Sequence, residues 1–188
     1  MYSGGMNVSL ARTPSLSLSN RVLLAVIKEH DDKAITEFIT RLALGGSFHL
    51  ISCGHWLPDQ DSLRRSVRRY TVAVNEILNH PNLGRPATCL QLRDQLEQAE
   101  LQPYPILVLN FLHHFFDPDV DVSLRRRVLD QCCQQVKHLS SSKPVVILIQ
   151  ELPTEEYQQF FPLLNSIADE VIEAVAESVA RISQPLLF

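Results

Sequence analysis

Two rhythms of apolar and polar residues alternate along this chain, and their order predicts the fold. Short runs rich in Val, Ile and Leu occur at 21–27 (RVLLAVI), 48–53 (FHLISC), 105–109 (PILVL) and 144–150 (PVVILIQ). They are too short for buried helices and read as strands covered on both faces. Between them apolar residues recur at helical spacing. Ile35, Phe38, Ile39 and Leu42 form one stripe, capped by Asp31 or Asp32 and closed by Gly45–Gly46. Leu63, Val67, Tyr70, Val74, Ile77 and Leu78 predict a single helix over about 60–80. Leu90, Leu92, Leu96 and Leu101 lie in or beside a helix that ends before Pro103, and 85–89 reads as a brief strand. Leu124, Val128, Leu129, Cys132, Val136 and Leu139 predict a long helix over 122–139, and 155–161 a short one. Residues 168–175 (ADEVIEAV) alternate as a strand near a sheet edge should.

Strands alternating with helices in this way imply right-handed crossovers and a mostly parallel sheet with helices on both faces, a three-layer α/β core. The stretch 105–121 (PILVLNFLHHFFDPDVD) is its centre, because a buried strand there delivers Asn110 into a loop bearing His113, His114, Asp117, Asp119 and Asp121. In open α/β sheets ligands bind beyond the carboxyl ends of such strands.

Size and composition narrow the reading. A chain of 188 residues suits one well-buried domain, here 21–188, preceded by a Ser-rich flexible arm over 1–20. With 45% apolar and 20% charged residues the balance is that of an ordinary soluble protein, and no apolar run reaches the ~20 residues of a membrane span. The opening residues lack the basic region and long apolar core of a secretory signal. A net charge of −4 leaves any nucleic-acid contact to a local patch. Cys53, Cys89, Cys132 and Cys133 include no CxxC pair, so buried reduced thiols in a cytoplasmic protein are expected, with nucleoid or nucleus as alternatives.

A phosphate loop needs glycines that let backbone N–H groups cradle phosphate, a lysine, and a hydroxyl for magnesium. Laid over 27–34 (IKEHDDKA), that pattern finds only Lys33; Ile27 and Asp32 replace the glycines and Ala34 the hydroxyl. Glu29, Asp31 and Asp32 place negative charge where a phosphate would sit. Asn110 closes the central strand where an Asp would hold magnesium, and a neutral amide is a poor partner for a hard dication. Asp117, Asp119 and Asp121 fail as a calcium loop, since its sixth and twelfth positions hold Val122 and Val128. His113 and His114 belong to no HExxH or GxSxG pattern and read as loop histidines. Trp56, Phe115 and Phe116 read as packing or interface aromatics.

Arg64, Arg65, Arg68 and Arg69 span about 140° of a helix opposite its apolar stripe. They are candidates for a phosphate-backbone or acidic-partner contact, against a plain solvated face partly neutralised by Asp59 and Asp61. Arg125, Arg126 and Arg127 stand at a helix start, where cations oppose the dipole; an outside partner or pairing with Asp119 and Asp121 would explain them.

The order of strand, helix, FHLISCGHWLPDQDSLRRSVRR, RPATCLQLRDQL, PYPILVLNF, long helix and PVVILIQ resembles the core of RecA-like recombinases and their paralogues over 21–175. WLPDQDSL is similar to the family's "PERL"-like segment, and Gln150 takes the place of its nucleotide-sensing residue. The resemblance implies a P-loop fold. It also implies a degenerate nucleotide site at Lys33, Asn110 and Gln150, because the diagnostic phosphate and magnesium motifs are missing. Some recombinase-mediator subunits and the small Elongator subunits have lost ATP chemistry in the same way and keep the fold as an assembly module. The expectation is a pseudo-ATPase without cofactor or catalytic residues. It would work near DNA recombination or repair by pairing with itself or with a related RecA-like subunit. A nucleotide-binding enzyme or sensor with a remodelled site is the alternative, and a regulatory scaffold without nucleic-acid contact a third.

Overall fold

The computed structural model describes residues 21–27 and 32–174, so the expected arm over 1–20 lies outside the described residues. Among the described residues six strands form one sheet in which every pairing is parallel. They are β1 (Val22–Ile27), β2 (Phe48–Ser52), β3 (Pro81–Gly84), β4 (Ile106–Leu109), β5 (Val145–Gln150) and β6 (Glu170–Ala174), in the spatial order β3-β2-β4-β5-β1-β6. The helices are α1 (Asp32–Gly45), α2 (Gln60–Arg68), α3 (Val74–Leu78), α4 (Cys89–Ala99), α5 (Val122–Ser140) and α6 (Glu155–Ile167).

The unbroken apolar runs are buried on both sides. Val22, Leu24 and Val26 of β1 face a core shared with α4, α5 and α6. Leu23, Ala25 and Ile27 face a second core built from α1 and Trp56, with Leu63 of α2 and Ile77 of α3 at its margin. Helix positions and sheet order obey one rule. The crossovers leaving β1 and β2 carry the chain toward the β3 edge with their helices on one face. Those leaving β3, β4 and β5 carry it toward the β6 edge with their helices on the other face. Direction and face reverse together, which is what crossovers of a single hand require.

Three boundaries differ from the sequence reading. The helix expected over 60–80 stops at Arg68 and resumes only as the five-residue α3. Arg69 donates its N–H to the Ser66 carbonyl in a tightened last turn, and Thr71 Oγ1 accepts from the Ala73 N–H at 3.1 Å. A threonine hydroxyl offers the backbone that alternative to helical pairing. Tyr70, expected in the core, is 48% exposed, and Val72 is fully exposed. The brief strand lies at Pro81–Gly84 rather than 85–89, with Pro81 as first residue of an edge strand, where its missing N–H is tolerated. Helix α6 runs past its expected end to Ile167, because Tyr157, Phe160 and Leu164 anchor it on both sides of the exposed Pro162.

All four cysteines are buried and unbridged, and burial pushes each thiol upward. Trp56 and Phe115 are core residues, while Phe116 packs against the core from a half-buried position. Among the described residues no helix is long and apolar enough to cross a membrane.

Candidate functional site

The reversal of crossover direction creates three places where neighbouring strands send their helices to opposite faces, β1/β5, β2/β4 and β2/β3. Crevices open beyond the carboxyl ends of such pairs, and ligands of α/β sheets lie there. Asn110 follows β4, Gln150 ends β5 beside Ile27 of β1, and Lys33 stands in the first turn of α1. The three positions taken from the family resemblance therefore lie along one edge of the sheet.

At the β2/β4 crevice the backbone is held in an unusual form. Asn110 has φ +53°, in the left-handed region, which Asn tolerates better than most residues. Its N–H donates to the Leu148 carbonyl at 2.8 Å and its carbonyl accepts from the His113 N–H at 2.9 Å, so neighbouring elements set its conformation. Across the crevice Gly54 has φ +70°, and a Cβ there would meet the His113 ring at 2.9 Å. Gly54 is glycine for two reasons at once, conformation and space. His113 and His114 follow in a 3-10 turn (His113–Phe116) with ring centroids 4.9 Å apart. Burial lowers the affinity of both rings for a proton, reinforced at His113 by His55 and at His114 by His113. His114 Nε2 is buried without a hydrogen-bond partner. Among the described residues no three His, Cys, Asp or Glu side chains converge as metal ligands.

The acidic loop does not gather either. Asp117 Oδ1 accepts from the Asp119 N–H at 3.0 Å, and Asp121 Oδ1 caps α5 by accepting from the Ser123 and Leu124 N–H groups. These carboxylates shape a turn and a helix start.

A cleft of about 630 Å³ opens between α1 and α2. It brings Lys33 together with Arg65 and Arg69, but Asp32 and Asp59 line it too, and neither Asn110 nor Gln150 does. Most of its charge is already engaged. Arg69 donates to Glu37 at 2.9 Å and to Ser66 Oγ at 3.0 Å, and Arg65 reaches back to the Asp61 carbonyl and Ser62 Oγ. Glu37, which pattern reading overlooked, accepts from Arg41, Arg69, Ser66 and Tyr70 and ties α1 to the end of α2. Burial alone would raise its carboxyl, but hydrogen bonds from Tyr70 and Arg41 and the two arginine charges outweigh that and hold it below the ordinary value. Its signal in the sequence was faint: an acid among the polar positions of an otherwise apolar helix.

The arginine clusters separate on inspection. Arg65 and Arg68 are exposed, Arg64 is half-buried, and Arg69 is paired. Arg125 is turned inward at 5% exposure, donating to the Phe115 carbonyl at 3.0 Å with its guanidinium 5.9 Å from the Phe160 ring centroid. It pins the 3-10 turn to α5 and α6, so it is removed from the set of surface cations expected to meet a partner. Its neighbours Arg126 and Arg127 are exposed.

Compared with models of known protein families and with curated proteins, the chain matches none.

Proposed function

We propose that this chain is a non-catalytic RecA-like domain, a pseudo-ATPase that acts through protein–protein assembly, with DNA recombination or repair as its setting. The observation that carries the reading is Asp32 in the first turn of α1, lining the same cleft as Lys33. A carboxylate there is favoured by the helix dipole and occupies the place where the terminal phosphates would need backbone N–H groups. The sheet order supports it. The carboxyl ends of β1, β5 and β4, which the family uses for phosphate, sensor and magnesium, are consecutive; Gln150 matches the sensor position, while Ile27 and Asn110 stand in place of the groups that grip a metal-bound polyphosphate. Assembly would use the face where active relatives sandwich nucleotide, with Arg64, Arg65 and Arg68 toward an acidic partner or a nucleic-acid backbone.

A second reading is a nucleotide sensor or enzyme with a remodelled site around Lys33, Asn110 and Gln150; the α1–α2 cleft supports only its Lys33 part, since Asn110 and Gln150 lie outside it. Calorimetry separates the two. ATP with magnesium should give no measurable heat of binding, whereas micromolar binding abolished by Lys33→Ala would replace the first reading by the second. Light scattering of the full chain, alone and with DNA across a salt series, then tests assembly; a monomer indifferent to DNA would leave only a heteromeric partner.

A further inference from the structure

Unpaired charges of opposite sign stand on the two faces of the sheet. On the face covered by α1 and α2, Arg65 and Arg68 are exposed and Arg64 is half-buried. On the face covered by α6, the segment 151–156 (ELPTEE) leaves the carboxyl end of β5 and enters the helix, with Glu151, Glu155 and Glu156 exposed. Among the described residues, none of these three arginines and three glutamates has an ion-pair partner.

We propose that the α2 arginines and the α1–α2 cleft beside them receive the acidic 151–156 segment of a second copy of this chain, so that copies join head to tail. The contact rests on the assembly reading above and names its partner. The α1–α2 junction is already built to hold a carboxylate. Glu37 sits there among four donors, accepting from Arg41 and Arg69 at 2.9 Å, from Ser66 Oγ at 3.3 Å and from Tyr70. Arg65 lines the adjoining cleft with only the Asp61 carbonyl and Ser62 Oγ as acceptors, so it has room for an incoming acid.

The same surface suits carboxylates better than a nucleic-acid backbone. Asp32 and Asp59 line the cleft, Asp61 stands beside Arg65, and the chain carries a net charge of −4. A continuous run of phosphates would meet those acids, whereas separate glutamates on a short segment place charge only opposite the arginines. Apolar surface adjoins the cations, since Tyr70 is 48% exposed and Val72 wholly so, and Pro153 is exposed within the acidic segment. Charge sets the orientation of such a contact and apolar burial adds to its strength. The two surfaces differ, so the contact is heterologous and builds a ring if the rotation closes and a filament if it does not.

Light scattering of the full chain tests this directly. Copies should associate at low salt, and raising the salt from about 0.05 M to about 0.5 M should weaken the association, since exposed charges are then screened. Arg65→Glu with Arg68→Glu should weaken it about tenfold, and so should Glu155→Lys with Glu156→Lys. An equal mixture of the two double variants should associate again, because each reversed surface meets its reversed partner. Glu151→Lys, ahead of the helix, should act in the same direction and serves if the changes in the first turn of α6 disturb folding. Association that ignores salt and both reversals, or a mixture that fails to recover, would overturn the contact and leave assembly through another surface standing. A monomer at low salt would overturn it and leave only a heteromeric partner. Duplex DNA bound in place of a second copy, and lost with the arginine reversals, would overturn it in favour of nucleic acid.

Discussion

At the scale of single residues, the carboxyl edge of the sheet is organised by two positive-φ positions on neighbouring strands. Asn110 and Gly54 both turn the chain sharply as it leaves β4 and β2, and His113 fills the space above Gly54. Left-handed backbone costs an L residue about 1–2 kcal/mol, and a Cβ at Gly54 adds a clash with the imidazole. Gly54→Ala should therefore destabilise the protein by about 2 kcal/mol in urea unfolding. In a His113→Ala background the same change should cost about 1 kcal/mol, since only the backbone penalty remains. Equal costs in the two backgrounds would show that His113 does not occupy that space. Neither backbone conformation was legible in the sequence, where Asn110 was singled out only for its place at the end of the central strand.

At the scale of elements, helix ends are secured by side chains distant in sequence. Lys143, buried just ahead of β5, donates Nζ to the carbonyls of Ala99, Glu100 and Gln102, the last turn of α4 and the loop behind it. A cation at a helix C-terminus meets both the unpaired carbonyls and the dipole. Lys143→Met should leave those acceptors unpaired and cost about 2–3 kcal/mol, with faster amide exchange at the end of α4 than elsewhere. Uniform loss of protection over the sheet would point to general destabilisation instead. The contrast with α2 and α3 is instructive. Their apolar spacing was strong enough to predict one long helix, yet the Thr71 hydroxyl and the pull of Tyr70 toward Glu37 end it early. Periodicity reports which residues prefer burial; which of them reach the core depends on where the neighbouring helix stands.

At the scale of the whole molecule, stability should respond to acid in two stages. Burial, aided at His49 by the Lys143 charge and at His113 and His114 by neighbouring imidazoles, lowers all three histidines below 6.5. The unfolded chain then takes up protons first as pH falls below about 6.5, so stability declines from there toward the lowered values and is flat above. The second stage belongs to carboxylates. Hydrogen bonds hold Asp59, Glu100, Asp121 and Asp169 below their ordinary range, and those of Tyr70 and Arg41 overcome burial at Glu37. Their contribution is complete above about pH 4.5 and is lost as pH falls through the depressed values. Urea midpoints measured from pH 8 to 3 should show a plateau, a shallow step and a steeper one; an unchanged midpoint between pH 7 and 5 would contradict the histidine stage.

The sequence alone determined the layers of this molecule. Runs such as ILVL and VVILI are apolar at every position, and a strand that is apolar throughout must be covered on both faces, so a parallel sheet between helices follows from hydrophobicity alone. It also determined that 27–34 lacks the glycines and hydroxyl of a phosphate loop, since that depends on residue identity. Only the tertiary structure decided which strands became neighbours, and with them where the crevices open. It turned Arg125 inward, tied Arg69 to Glu37, and buried the Thr40 hydroxyl without a hydrogen-bond partner. Those outcomes rest on contacts between residues far apart in the chain, where local propensity carries no information and packing geometry does.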